Sequence, residues 1–181
     1  MASALTDAVV DDARRGEAAA LTAIYESIAP GILAYLRGRG SWDAEGLTQE
    51  VFTQLLPQLR KVSGGAAGVK ALAFTIAHSR LVDEFRRRQR GPEMPYDSEL
   101  DGRKHGSAED EVIRLGFGAA TALLTSISDE QRTVILLRIL GDLSLDETAR
   151  IIGKSVGAVK QLQRRGLLAL REQLDQQQAR R

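Results

Sequence analysis

Cysteine is absent from the sequence, which excludes disulfides and thiolate metal sites and suits a reducing cytosol. Histidine is nearly absent as well. His78 sits in a basic helical stretch and His105 in an acidic one, so no His/Glu cluster with metal spacing exists, and neither metal nor cofactor is expected. His78 and Ser79 are adjacent on a helical pattern and point in different directions, which excludes a nucleophile-base pair. No phosphate-cradling or dinucleotide glycine pattern occurs. Catalysis is therefore not expected. Net charge is only +1 over 181 residues, so any polyanion site must come from charge segregation along the chain. The acidic N-terminus has no apolar run of the signal-peptide kind, and no stretch reads as approaching transmembrane length. A cytoplasmic location without a membrane partner is the expectation. Four prolines and 4% aromatics favour helix over sheet.

What is present is helical periodicity with clear punctuation. Leu145 to Leu170 reads as two helices joined by a tight turn. Ser144 and Glu147 have capping-box spacing, with Thr148, Ala149 and Ile152 on one face. Gly153 sits where a left-handed residue ends a helix, and Ser155 can cap the next, which turns Val159, Leu162 and Ala169 inward. This is helix-turn-helix spacing, with small Ala149 at the approach of the two helices. The second helix presents Lys160, Gln161, Arg164 and Arg165 outward. Lys154, Lys160, Arg164, Arg165 and Arg171 have no acid among them in sequence, as major-groove recognition requires.

Earlier in the chain, a short helix ends near Gly16. Leu21, Ile24, Tyr25 and Ile28 begin another, which Pro30-Gly31 should break or kink before Gly38 and Gly40 end it. Ser41-Trp42-Asp43 opens a helix to about Arg60, with Val51, Leu55 and Leu59 inward. Asp43, Glu45, Gln49 and Glu50 lie outward, an acidic and amide face suited to a basic protein partner. Lys61 to Gly68 is a glycine-rich loop. Val69 to Arg90 is one long helix with Leu72, Ala73, Ile76 and Ala77 inward. It ends in Arg86, Arg87, Arg88 and Arg90, more cations than a helix C-terminus needs. Residues 91–111 carry two prolines, three glycines and seven acids against two bases, and read as an acidic linker. Ile113, Leu115, Phe117, Leu123 and Leu124 mark a helix over Val112 to Ser126. Ser128 and Gln131 cap another through Leu140, with Val134, Ile135, Leu137 and Ile139 inward. The C-terminal DQQQARR is expected to fray.

With the elements in this order, the chain resembles the extracytoplasmic-function class of bacterial RNA polymerase sigma factors. Asp43 to Phe52, DAEGLTQEVF, is similar to the family's region 2.2 motif, DAEDLVQEVF. Ala73 to Arg87, AFTIAHSRLVDEFRR, resembles its region 2.3 to 2.4 pattern. Asp129 to Arg138 and on to Lys160 resembles its region 4. The resemblance implies an all-α protein of two small helical domains, residues 1–90 and 112–181, joined by the linker over 91–111. It implies that Asp43, Glu45, Gln49 and Glu50 face the clamp helices of the polymerase largest subunit, and that region 4 reaches the flap. It further implies minus-10 contacts by His78, Ser79, Arg80, Arg86 and Arg87 with the loop Lys61 to Gly68, and minus-35 contacts by Arg138, Lys160, Gln161, Arg164 and Arg165. An anti-sigma protein is a further partner that the family admits. Leu72 replaces the family tryptophan, His78-Ser79 replaces an Arg-Asn pair, and AVKQLQRRGL stands where the family has TVKSRLHRAR. Read from the residues alone, a dimeric helix-turn-helix regulator is the rival.

Overall fold

The computed structural model describes residues 5–90 and 123–179. The linker over 91–111 and most of the helix read over Val112 to Ser126 lie outside them, although residues 123–125 are helical. The order is α1 (Asp7–Arg14), α2 (Ala18–Gly38), α3 (Ala44–Leu55) with a 3-10 turn (Leu56–Gln58), and α4 (Gly65–Arg90), followed by α5 (Asp129–Leu140), α6 (Leu145–Ile152) and α7 (Val156–Ala179). Among the described residues there is no strand.

The first half is built around α2, which buries Ile24, Ile28, Ile32, Tyr35 and Leu36 against Val51 and Leu55 of α3 and Val69, Phe74, Ala77 and Leu81 of α4. α2 runs unbroken through Pro30, so of the break or kink expected there the break does not occur. A proline in mid-helix removes one backbone hydrogen bond, and burial of Ile28, Ala29 and Ile32 around it holds the helix together. At 21 residues with mean hydropathy 1.4 over its most apolar window, α2 is long and apolar enough to cross a membrane by length and composition. This corrects the reading that no stretch approaches that length; here the helix is the core element.

Several ends are set by distant residues. α4 starts at Gly65, four residues before the expected Val69, because the Asp7 carboxylate of α1 accepts from the Ala66 amide at 2.7 Å. Gly64 and Gly65 adopt φ +86° and +56°, backbone that glycine tolerates and other residues rarely adopt. Arg14 donates to the carbonyls of Leu59 and Val62, tying α1 to the turn after α3. α7 continues to Ala179, so most of the tail expected to fray is helical.

The second half has a small core of Val134, Ala149 and Val159, closed by Leu145, Ile152, Val156 and Leu162. It also packs on the first half. Leu136, Leu137 and Leu143 join the large core, with Leu124, Leu140, Ile151 and Ile152 against it. α5 lies along α2 at two glycines seven residues apart. A Cβ on Gly31 would stand 3.2 Å from the Leu140 carbonyl oxygen, and one on Gly38 would stand 3.0 Å from Leu136 Cδ1. α5 thus belongs to both cores. Ile139, expected inward, is 65% exposed and belongs to neither core.

Candidate nucleic-acid interface

The helix-turn-helix follows from short-range hydrogen bonds. Ser144 Oγ accepts from the Glu147 amide at 3.1 Å, and Glu147 Oε2 accepts from the Ser144 amide at 2.7 Å. That reciprocal bond with Ser144 also holds the Glu147 carboxyl below the usual range. Gly153 takes the left-handed conformation at φ +66°, and the next amide, Lys154, reaches back to the Ala149 carbonyl at 3.0 Å. Ser155 Oγ accepts from the Ala158 amide at 3.2 Å, which starts α7 with only three residues separating it from the end of α6. Val159 is fully buried and Ala149 nearly so, which fixes the rotation of α7.

With that rotation, Lys160, Gln161, Arg164 and Arg165 are all exposed, and none forms an ion pair among the described residues. They span six residues, roughly 7.5 Å of helix rise, a patch that fits within a major groove about 12 Å wide. Gly166 lets α7 lie close on α5, since a Cβ there would stand 2.7 Å from Ile135 Cδ1. Two basic residues are engaged internally. Lys154, read as unopposed, pairs with Glu130 at 2.8 Å; the acid comes from α5, outside the sequence window in which its charge was counted. Arg138 is half-buried and donates to the Leu143 carbonyl, so its guanidinium braces the turn between α5 and α6.

α4 separates its candidates by face. Ser79, Arg86 and Arg87 are exposed. Arg80 points toward α3, where it donates to Gln54 Oε1 at 3.0 Å. His78 points the other way: its Nδ1 is hydrogen-bonded to Tyr35 Oη at 2.8 Å. His78, Val82, Phe85 and Arg86 then line a cleft of about 310 Å³ whose other wall includes Asp129 and Lys154. The structure therefore divides the five α4 residues among solvent, α3 and the cleft. Leu72, read as inward, is only partly buried. The loop Lys61 to Gly68 is shortened by the early start of α4, with Gly65 and Gly68 inside its first turn and Gly64 just before it.

On α3, Asp43, Glu45, Gln49 and Glu50 are all exposed. Asp43 is the N-cap, accepting from the Gly46 amide at 2.9 Å. Glu45 pairs with Arg37, which holds its carboxyl below the usual range. Gln49 and Glu50 carry the rest of the face.

Sequence reasoning missed an ion pair at the floor of the cleft. Arg39, 6% exposed, donates through Nη2 to Asp129 Oδ2 at 2.8 Å and through Nη1 to the other carboxylate oxygen. It also lies 5.9 Å from the Phe85 ring centroid. Burial opposes the charge on Arg39, and Asp129 and Tyr35 together outweigh it, so the guanidinium pKa is raised. The hydrogen bond from Arg39 lowers that of Asp129. Burial lowers that of His78, with Arg39 adding to the effect. Burial also raises that of Tyr35, with Arg39 opposing. No local pattern marks a pair separated by 90 residues; an arginine just past a helix end was the only signal.

The protein-family models of Sigma-70 region 2 and Sigma-70, region 4 match residues 24–91 and 123–172. ECF RNA polymerase sigma factor ShbA of Streptomyces griseus is 30% identical, over 93% of this chain and 95% of its own length. ECF RNA polymerase sigma factor BldN of Streptomyces coelicolor is 31% identical over 90% of this chain, which spans 63% of BldN. Among solved structures, that of CnrH in complex with the cytosolic domain of CnrY aligns with a TM-score of 0.64 and 20% identity. It covers 94% of this chain and 97% of that one, and at this identity the likeness speaks to fold alone.

Proposed function

Because the chain belongs to the ECF RNA polymerase sigma factors of the sigma-70 family, we propose that it binds core RNA polymerase and directs it to the promoters of a subset of genes. It performs no chemistry of its own and works in the cytoplasm. The observation that carries this reading is the pairing of a capped helix-turn-helix, whose outward face holds Lys160, Gln161, Arg164 and Arg165, with an acidic α3 face on the same chain. A basic helix meets duplex DNA, and an acidic face repels DNA while attracting a basic protein surface.

The minus-35 element then lies on α7, with Arg138 bracing the turn that presents it. Asp43, Glu45, Gln49 and Glu50 face the clamp helices of the polymerase, and residues 112–181 reach its flap. Ser79, Arg86 and Arg87 hold the minus-10 strand, with the loop Lys61 to Gly68 at the start of α4. His78 joins them once the cleft is open, and Arg80 aligns α4 against α3. Residues 1–90 and 112–181 act as the two functional units, joined through 91–111. In the packed arrangement Asp129 and Lys154 stand opposite His78 and Arg86, so a strand can enter that face only after the halves part. An anti-sigma regulator that favours the packed form is consistent with this design.

The test is co-elution of the purified chain with bacterial core polymerase, followed by run-off transcription on a genomic promoter library. Promoter-specific transcripts are expected. Duplex binding without core binding would instead support the dimeric regulator.

A further inference from the structure

Trp42 is the only tryptophan of the chain, and it is 67% exposed. Tryptophan is among the residue types enriched at contact hot spots. Its turn is built to hold it there. Glu84 of α4, 4% exposed, accepts from Ser41 Oγ at 3.0 Å and from the Asp43 amide at 3.4 Å. The residues on both sides of Trp42 are therefore pinned to one buried carboxylate while the indole projects outward. Arg88 stands over the ring, with its guanidinium carbon 5.3 Å from the centroid.

On the α4 side of this ring the charge is basic, while the two nearest carboxylates of α3 already have partners. Asp43 is engaged as the α3 cap and Glu45 is paired with Arg37. Arg87, Arg88 and Arg90 in the last turn of α4 have no carboxylate partner among the described residues. A rigid indole flanked by unpaired guanidinium groups is the combination that binds single-stranded nucleic acid, the ring stacking on a base and the cations tracking the phosphates. A protein partner would need carboxylates aimed at the same arginines.

We propose that Trp42 and Arg88 form a stacking platform for an unpaired base of the DNA strand, with Arg87 and Arg90 on the flanking phosphates. This deepens the sigma-factor reading and rests on it. The platform lies at the far end of α4 from the loop Lys61 to Gly68, roughly 35 Å away at 1.5 Å per residue. It gives the melted strand a second anchor, so that the strand is held along the length of α4.

Because the chain has a single tryptophan, its emission reads this site directly. The full-length protein is titrated with a short oligothymidylate and with a fully paired duplex, alone and as holoenzyme. The expected result is quenching by the single strand and little by the duplex, with Trp42→Ala weakening oligothymidylate binding about fivefold or more and Trp42→Tyr restoring most of it. Equal quenching by both DNAs, or unchanged affinity in Trp42→Ala, overturns the proposal. So does weakened core polymerase binding in Trp42→Ala with DNA binding intact, which would make the ring a protein contact. Core binding and promoter-directed transcription are scored on the same preparations. Their absence, with strand-specific quenching retained, would sink the sigma reading and leave the platform standing.

Discussion

Removing the Asp129 carboxylate tests how the two halves are held together. Arg39 brings a charge into the interface with 4% of its side chain exposed, whereas 68% of the Asp129 side chain is exposed. Deleting one partner of a fully buried pair costs about 3–5 kcal/mol, because the other charge is stranded. Here water reaches the carboxylate side and can solvate part of the guanidinium, so Asp129→Ala should cost about 1–3 kcal/mol. Arg39→Met behaves differently. It keeps most of the buried volume against Phe85, removes the charge, and relieves Arg39 Nε, which is buried without a hydrogen-bond partner. Its cost should stay within about 1 kcal/mol. The double variant Arg39→Met/Asp129→Ala should therefore be more stable than Asp129→Ala alone. Urea unfolding followed by Trp42 emission, with hydrogen exchange along α5 as a second probe, measures both effects. Equal losses in the two single variants, adding in the double, would refute the stranded-charge argument.

Other outcomes are equally specific. The His78 pKa is depressed on folding, so neutral His78 contributes stability that is complete above its unfolded pKa of about 6.5 and is lost as pH falls from there through the lowered folded value. Stability should decline between neutral pH and pH 5, and His78→Gln should flatten that slope; an unchanged slope would place the titration elsewhere. Asp129, with its pKa also depressed, adds a loss only below about pH 4. Gly31→Ala forces a Cβ against the Leu140 carbonyl. An overpacking cost of about 1–3 kcal/mol, less about 1 recovered from helix propensity, predicts a net loss of up to about 2 kcal/mol by thermal melting. Arg164→Ala should weaken minus-35 duplex binding and reduce the slope of log affinity against log salt by about 0.9, the value for one phosphate contact. Glu50→Lys should reduce core polymerase binding while isolated minus-35 binding holds, and parallel loss of both would point to misfolding.

The sequence by itself determined the elements whose signals are local. Ser128 with Gln131, Ser144 with Glu147, left-handed Gly153 and Ser155 each act within about four residues, because a helix end must satisfy its own free amides and carbonyls nearby. Periodicity assigned the inward stripe of Val51, Leu55 and Leu59 for the same reason: side chains three and four apart share a face whatever lies opposite. The candidate recognition face was legible too, since burial of Val159 leaves Lys160, Gln161, Arg164 and Arg165 on the other side. Only tertiary structure decided what those faces meet. Asp7 caps α4 from 59 residues away, Lys154 finds Glu130, and Arg80 turns to Gln54. Gly31 and Gly38, which read as helix breakers, are the places where α5 settles on α2. Arg39 reaches Asp129 across 90 residues. These contacts leave no periodic trace, because they depend on which surfaces the chain brings together when two apolar faces are buried at once.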